Sequence, residues 1–153
     1  NRYYMEQYIL QEEEEGSSAA LFVFDINYLK KINDRDGHSA GDALLQRAAQ
    51  CISACFEDCS DAKCFRYGGD EFTLILHPEL QEEPQRLISD FRKTLAELLR
   101  GAGTPYPLAV SLGYDEFHAS QDSLQSCIQR ADRKLYQDKA ERRKEKAEQI
   151  AGG

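Results

Sequence analysis

Three acidic residues stand where apolar segments begin or end, and residues of this type could hold a metal ion. Asp70 and Glu71 follow two glycines in the stretch RYGGDEF, and Asp25 lies near the end of the apolar run Ala19–Ile26 (AALFVFDI). Hard cations such as Mg²⁺ prefer oxygen ligands and are usually bound through one or two carboxylates together with substrate phosphates and water. The acids therefore indicate a site for Mg²⁺, with Mn²⁺ as an alternative, that could serve a phosphate-bearing substrate.

Whether these acids meet depends on how the strands pair. Side chains alternate between the two faces of a strand, so Asp25 shares a face with Val23, and Glu71 shares a face with Thr73. If the two strands are neighbours, Asp25 and Glu71 meet at one end of the sheet, where Asp70 can approach them. Alternatively, Asp25 caps the next segment and the other two acids are ordinary turn residues. The residues alone leave both interpretations open.

Composition excludes several classes of function. The 153 residues carry a net charge of −8 and lack the basic surface that long DNA or RNA partners require. No apolar run reaches the roughly 20 residues that cross a bilayer. The five cysteines include no C-x-x-C pair, so we expect buried, reduced thiols and no structural metal. We expect a cytoplasmic domain cut from a longer chain, whose parent protein could be anchored to a membrane.

The order of apolar segments predicts an α+β fold. Periodicity predicts these elements: helices at 1–11, 39–56 and 84–100, a last helix capped by Asp122, and strands at 19–26, 64–66, 71–76 and 108–114. The segment KKINDRDGHSAGD is expected to be a loop because it is rich in Asn, Asp and Gly. Gly68 and Gly69 suit the positive φ of a tight hairpin. Strands joined by a hairpin indicate a mainly antiparallel central sheet with flanking helices.

Several stretches resemble one family in order and spacing. RYGGDEF matches the signature of the GGDEF domain family, the diguanylate cyclases, and FDINYLKKINDRDGHSAGD resembles its D-x-[DN]-x-[FL]-K-x-IND-x-x-GH-x-x-GD block. LAVSLGY resembles the strand before its last helix, and ADRKLYQDK resembles its AD-x-x-LY-x-AK helix, with Asp138 where Ala is usual. The resemblance identifies residues 1–143 as a GGDEF domain with a truncated N-terminal edge and leaves 144–153 as a charged tail expected to fray. It implies a fold similar to nucleotidyl cyclases and the polymerase palm.

The resemblance also implies a function. It implies that the domain condenses two GTP into cyclic di-GMP and releases two pyrophosphates. Two copies must face each other for this reaction, so it implies a homodimer that is regulated by an upstream sensory module. The alternative is a catalytically inactive GGDEF domain that binds GTP or another protein and regulates without turnover.

Individual roles follow from the same resemblance. The implied metal ligands are the side chains of Asp25 and Glu71 and the backbone carbonyl of Ile26. Asp70 is implied to help deprotonate the attacking 3′-hydroxyl. The implied substrate contacts are Gly68 and Gly69 at the turn, Asn33 and Asp42 at guanine, and Lys30, Lys139 and Arg143 at phosphates.

Physical chemistry supports one of these roles, that of Asp42. A carboxylate can accept the two parallel N–H groups of guanine, whereas adenine would leave that carboxylate unpaired at a cost of a few kcal/mol. The alternative is that Asp42 is an acid in the first turn of a helix, stabilised by the helix dipole.

Two departures from the family pattern stand out. Arg142-Arg143-Lys144 replaces the usual G-R-N after the last helix, which weakens the implied phosphate contact of Arg143. Cys59 and Ala62 occupy the positions of the R-x-x-D motif through which cyclic di-GMP inhibits many members of the family. We therefore expect this domain to lack that product-inhibition site.

Overall fold

The computed structural model describes residues 2–16, 18–27, 29–57, 62–66, 68–76, 84–100, 110–118 and 122–152. The elements in chain order are α1 (Arg2–Glu14), β1 (Ser18–Ile26), α2 (Leu29–Asp36), α3 (His38–Cys55), β2 (Lys63–Arg66), β3 (Glu71–Leu76), α4 (Pro84–Arg100), β4 (Val110–His118) and α5 (Leu124–Gly152). The predicted strands and long helices are present, with bounds that differ by a few residues. Positions 101–109, which include the start predicted for the last strand, lie outside the described residues.

The strands form one antiparallel sheet in the order β2-β3-β1-β4. In the pairing of β1 with β3, Asp25 stands opposite Glu71, and in the pairing of β1 with β4, Asp25 stands opposite Ser111. The predicted α+β fold with an antiparallel sheet is therefore confirmed. The strands that carry Asp25 and Glu71 are neighbours, as their proposed meeting requires.

A layer of helices covers each face of the sheet. Phe22 and Phe24 of β1 pack in one core with residues of α2, α3 and α4, while Leu21 and Val23 pack in a second core with residues of α1 and α5. The strand is therefore buried on both faces, which is why its sequence is a continuous apolar run and not an alternating one.

The segment predicted to be a loop after β1 is helical, and this prediction was wrong. Leu29 and Ile32 lie one turn apart and bury their side chains against the sheet, which stabilises α2. Gly37 adopts a φ of +90° between α2 and α3, and its N–H donates to the carbonyl of Asn33 at 2.9 Å. The cluster of Asn, Asp and Gly thus marks a tight junction between two helices.

The start of α5 also differs from the prediction. Ser123 caps the helix, because its hydroxyl oxygen accepts a hydrogen bond from the backbone N–H of Ser126 at 3.2 Å. Asp122 instead accepts a hydrogen bond from Arg130 at 3.2 Å. At its other end, α5 remains helical through the charged segment that was expected to fray.

Two expectations drawn from composition can be compared with the structure. No helix in the described ranges is both long and apolar enough to span a membrane. Cys51, Cys55, Cys64 and Cys127 are free thiols. Cys51 and Cys127 are buried as predicted, whereas Cys64 is exposed because it lies on the short edge strand β2.

A glycine sets the distance between α5 and the sheet. A Cβ built on Gly113 of β4 would lie 2.0 Å from the carbonyl oxygen of Ala131 and 2.7 Å from the backbone nitrogen of Leu135. Both neighbours are backbone atoms of α5, so a larger residue could be accommodated only if the helix moved. The helix that crosses the end of β1 is therefore seated directly on β4.

We expect Gly113→Ala to lower the free energy of unfolding by about 2–3 kcal/mol, because the methyl group would overpack the contact between α5 and β4. The measurement is urea denaturation followed by circular dichroism. Gly68→Ala is the matched control, since nothing lies within 4 Å of a Cβ built there. It should change stability by no more than about 0.5 kcal/mol. Equal effects of the two substitutions would contradict the prediction.

Candidate active site

Three acids meet at the end of the central strand. Asp25 is only 3% exposed and lies opposite Glu71, the first residue of β3. The N–H of Ile26 donates to the backbone carbonyl of Asp70 at 3.0 Å. This hydrogen bond extends the pairing of β1 with β3 by one residue, because Asp70 directly precedes β3. The meeting inferred from strand alternation is therefore confirmed, and it holds Asp70 beside the other two acids.

A lysine from α5 completes this group. The ammonium of Lys139 contacts Oδ2 of Asp25, and the lysine side chain is about one-third exposed. Within the described part of the chain, Oδ1 of Asp25 is buried and accepts no hydrogen bond. A buried carboxylate with one oxygen against a cation and the other without a donor is a suitable ligand for a metal ion.

The electrostatics of the site oppose a charged state of Asp25 and Glu71. Burial raises the pKa of Asp25, and the nearby carboxyl of Asp70 raises it as well, while the contact with Lys139 acts in the opposite direction. Burial also raises the pKa of Glu71, with further contributions from the charges of Asp25, Asp132 and Asp70. The domain thus holds like charges close together, and an added cation would relieve this repulsion.

Arg66 shapes the turn that carries Gly68 and Gly69. Its Nε and Nη2 donate to the carbonyl oxygens of Gly68 and Gly69 at 3.2 and 2.9 Å. Gly16 and Gly37 are the glycines with positive φ in the described residues, so the expectation of positive φ at the Gly-Gly turn was wrong. Arg66 holds the turn by donating to the glycine carbonyls, so a positive φ is not what the glycines provide. They leave open space beside the turn, since nothing lies within 4 Å of a Cβ built at either position.

The junction of α2 and α3 holds two of the predicted guanine contacts. A Cβ on Gly41 would lie 1.7 Å from Oδ1 of Asn33, so the absence of a side chain at Gly41 makes room for the asparagine. Oδ1 of Asn33 is buried and, in the described residues, accepts no hydrogen bond. Asp42, the residue after Gly41 in α3, is exposed. It is the fifth residue of that helix, so it is not the first-turn acid of the alternative interpretation.

The remaining predicted phosphate contacts lie on the surface. Lys30 is exposed near the start of α2, and Arg143 is exposed one turn after Lys139 on α5. The structure therefore joins Lys139 directly to Asp25, whereas Lys30 and Arg143 remain predicted phosphate contacts.

The predicted metal ligands form a pair of side chains. Asp25 and Glu71 are cross-strand partners, and the backbone of Ile26 follows directly. Across the described residues, no group of three or more His, Cys, Asp or Glu side chains is arranged to hold a metal. Two carboxylates suit Mg²⁺, which keeps water and substrate phosphates as its other ligands.

Two polar contacts near the site were not anticipated from the sequence. One is the pair of hydrogen bonds that Arg66 donates to the carbonyls of Gly68 and Gly69. The other is Asp138, which accepts hydrogen bonds from Arg92 and from the backbone of Leu112. The available signals were a cation two residues before the glycines and an acid at a position where the family usually has Ala.

This arrangement defines a class of fold. An antiparallel sheet with flanking helices, and with acids at the end of its central strand, is the palm-like fold of nucleotidyl cyclases. The GGDEF domain of DgcB from Caulobacter crescentus, solved in complex with c-di-GMP, matches with a TM-score of 0.73 and 26% identity. The match covers 92% of this chain and 85% of that one. The predicted likeness to the palm fold is confirmed.

The family follows from the sequence comparisons. The model of the family "Diguanylate cyclase, GGDEF domain" matches residues 1–145, and the chain belongs to this family. Diguanylate cyclase A of Treponema denticola is 30% identical over 127 residues, which are 82% of this chain and 34% of that protein. Diguanylate cyclase DosC of Escherichia coli is 31% identical over 123 residues, 79% of this chain and 26% of that protein. The chain thus spans about a third or less of these relatives.

We expect Glu71→Gln to stabilise the domain at pH 7 in the absence of ligands, by no more than about 1 kcal/mol because solvent screens a half-exposed charge. Because the pKa of Glu71 is raised on folding, the folded state holds the proton more tightly, and stability is lost as the pH rises from the ordinary carboxyl pKa through the raised one. Glutamine does not titrate, so the advantage should vanish below about pH 4.

The measurement is the free energy of unfolding in urea at several pH values without divalent metal. Glu97→Gln, which changes an exposed carboxylate of α4, is the matched control and should show no such gain. A Glu71→Gln variant that is less stable than the wild type at pH 7 would contradict the prediction.

Proposed function

We propose that this chain is a diguanylate cyclase domain that condenses two GTP into cyclic di-GMP. The observation that carries the proposal is the cross-strand pair of the buried Asp25 and the half-buried Glu71 at the end of the central strand, with Lys139 against Asp25 and Asp70 beside it. A sheet can tolerate such a cluster of buried and half-buried acids when the site serves cations and phosphates. The family of the chain and the activity named for its relatives agree with this use.

The residues present fit a magnesium ion. Oδ1 of Asp25 is buried and accepts no hydrogen bond from the residues that the structure describes, and the ammonium of Lys139 stands in for a cation at Oδ2. Asp25, Glu71 and the carbonyl of Ile26 would hold the ion. When bound, Mg²⁺ supplies charge neutralisation and Lewis acidity to the α-phosphate and to the leaving pyrophosphate.

Each step joins two nucleotides held by two copies of the domain. The 3′-oxygen of one GTP bonds to the α-phosphorus of the other, the bond from that phosphorus to the bridging oxygen breaks, and pyrophosphate leaves. Asp70 takes the proton of the 3′-hydroxyl; its backbone is held in place by the hydrogen bond from Ile26. The step occurs twice, so the active form is a homodimer, which we expect an upstream module in a cytoplasmic protein to regulate.

The remaining side chains bind and orient the nucleotide. The ammonium of Lys139 exchanges its contact with Asp25 for one with the triphosphate. Lys30 and Arg143 add positive charge from α2 and α5. Asn33 and Asp42 lie together at the junction of α2 and α3, where Gly41 makes room for Asn33. There they read the hydrogen-bonding edge of guanine. Gly68 and Gly69 leave space for the nucleotide to lie against the turn.

The deciding experiment incubates the full-length protein with GTP and Mg²⁺ and measures cyclic di-GMP and pyrophosphate. We expect product in a ratio of one cyclic di-GMP to two pyrophosphates. Asp70→Asn and Glu71→Gln should each lower turnover by about 100-fold or more, because each removes a charge that acts on the reacting atoms. Glu97→Gln should leave turnover unchanged. A dimeric protein that binds GTP and forms no product would favour the alternative, a regulatory GTP-binding module.

Specificity for guanine provides a separate prediction. Because the carboxylate of Asp42 would remain unpaired against adenine, we expect ATP to be used at least about 100-fold less efficiently than GTP in kcat/KM. Asp42→Asn should lower this preference by about ten-fold or more, since an amide can also donate to adenine. Comparable turnover of ATP and GTP by the wild type would contradict the assignment of Asp42.

Regulation by product provides a further prediction. Ala62 occupies the aspartate position of the inhibitory motif, and Cys59, at its arginine position, lies outside the described residues. We expect turnover to be insensitive to cyclic di-GMP at concentrations that do not compete with GTP. The measurement is isothermal titration of cyclic di-GMP into the wild type and into an Asp70→Asn, Glu71→Gln double variant. Tight binding that survives in the double variant would show a separate product site and contradict the prediction.

A further inference from the structure

Asp138 forms a charged, hydrogen-bonded contact at the outer edge of the sheet, next to the site. Oδ2 of Asp138 accepts hydrogen bonds from Nη2 of Arg92 and from the backbone N–H of Leu112, both at 2.8 Å. Nε of Arg142 lies 3.6 Å from the other oxygen. The side chain of Asp138 is only 12% exposed. A nearly buried carboxylate with two short, charge-assisted or backbone contacts is a strong and directional link.

This link joins α4, β4 and α5 at one point. Leu112 lies on β4, which is an edge strand of the sheet. Arg92 lies on α4, whose neighbour Phe91 packs in the core on one face, whereas Asp138 lies on α5, whose Leu135 packs in the core on the other face. Asp138 therefore connects both helical layers through the backbone of the edge strand. It also accepts a hydrogen bond from the Leu112 N–H, a backbone group of the kind that edge strands otherwise leave unpaired.

The residue after Asp138 is Lys139, whose ammonium contacts Asp25. Lysine has a long, flexible side chain, so holding its ammonium at one place costs conformational entropy. That cost falls when the backbone that carries the lysine is held rigidly. The close approach of α5 at Gly113 fixes the helix at Ala131 and Leu135, and Asp138 fixes it one turn later.

We infer that Asp138 is a positioning residue: through Arg92 and the Leu112 backbone it holds α5 so that Lys139 reaches the reacting centre. In this role Asp138 acts on the nucleotide through Lys139 and not by direct contact. It stands where the family pattern usually has Ala, so this device is a property of this chain. The consequence for nucleotide binding rests on the proposed function, whereas the consequence for the position of Lys139 does not.

The first measurement needs no nucleotide. The full-length protein is treated briefly with acetic anhydride, and mass spectrometry gives the labelling rate of Lys139 relative to the exposed Lys63. Contact with Asp25 protects the amine, so Asp138→Ala should raise the relative rate by about three-fold or more. Asp138→Asn, which keeps an acceptor for the Leu112 N–H and loses the charge, should give an intermediate rate and serves if the Ala variant does not fold. An unchanged rate in the folded variant would overturn the inference.

A matched control comes from the other clamp between the same two elements. Asp115 of β4 lies 3.2 Å from Nε of Arg130 and 3.0 Å from Nζ of Lys134, and its side chain is 14% exposed. Asp115→Asn removes a charge of similar burial, but its partners on α5 precede Lys139 by more than a turn. It should leave the relative labelling rate of Lys139 unchanged. If Asp115→Asn raises that rate as much as Asp138→Ala does, general loosening of α5 explains the result and the inference fails.

The second measurement is the affinity for a GTP analogue whose α–β bridge cannot be cleaved, determined by titration calorimetry with Mg²⁺. Asp138→Ala should weaken binding by about five-fold, and it should cause no further loss in a Lys139→Met background. Losses that add in the double variant would show that Asp138 does not act through Lys139. If the wild type does not bind the analogue, the proposed function fails, and the labelling rates alone decide the role of Asp138.

Discussion

The contact between the ammonium of Lys139 and the carboxylate of Asp25 is the interaction on which the rest of the site depends. Asp25 is buried at the end of an inner strand of the sheet, opposite Glu71 and beside Asp70, and a charge in this position is costly unless a cation is near. The lysine supplies that cation in the ligand-free domain. In the proposed reaction, a metal ion would take its place and the lysine would bind the nucleotide.

The same acids lower the stability of the folded domain, although the proposed function requires them. Burial and mutual repulsion raise the pKa values of Asp25 and Glu71, so the charged forms that would bind metal are disfavoured in the folded protein. Strand pairing nevertheless holds them together, because the cores on both sides of β1 are large and apolar. Stability stored in these cores offsets the cost of the site, as is common where activity requires a strained arrangement.

The seating of α5 connects this electrostatic problem to the architecture. The helix lies directly on β4 at Gly113, and polar clamps join the two elements at Asp115 and at Asp138. A helix held at several points along one strand can deliver a lysine to the end of the neighbouring strand. The backbone contact at Gly113 sets the distance, and the side-chain contacts oppose rotation.

Much of the fold could be read from the sequence. The continuous apolar run of β1 indicates a strand buried on both faces, and the recurrence of apolar residues at helical intervals predicts the long helices because periodicity is a local property. The segment after β1 was misjudged, since its Asn, Asp and Gly residues are typical of loops. Burial of Leu29 and Ile32 against the sheet outweighs that local preference. Propensity is a weak signal when tertiary packing opposes it.

The site divides in the same way. The sequence by itself determined the family, the identity of the acids and their alternation along each strand, since these depend on residue type and on a period of two. Only the tertiary structure decided that Asp25 faces Glu71, that Lys139 contacts Asp25, that Arg66 holds the turn, and that Asp138 links α4, β4 and α5. These contacts join residues far apart in the chain or depend on the exact course of the backbone. Strand register and helix seating are set by the packing of the whole core, which no local pattern contains.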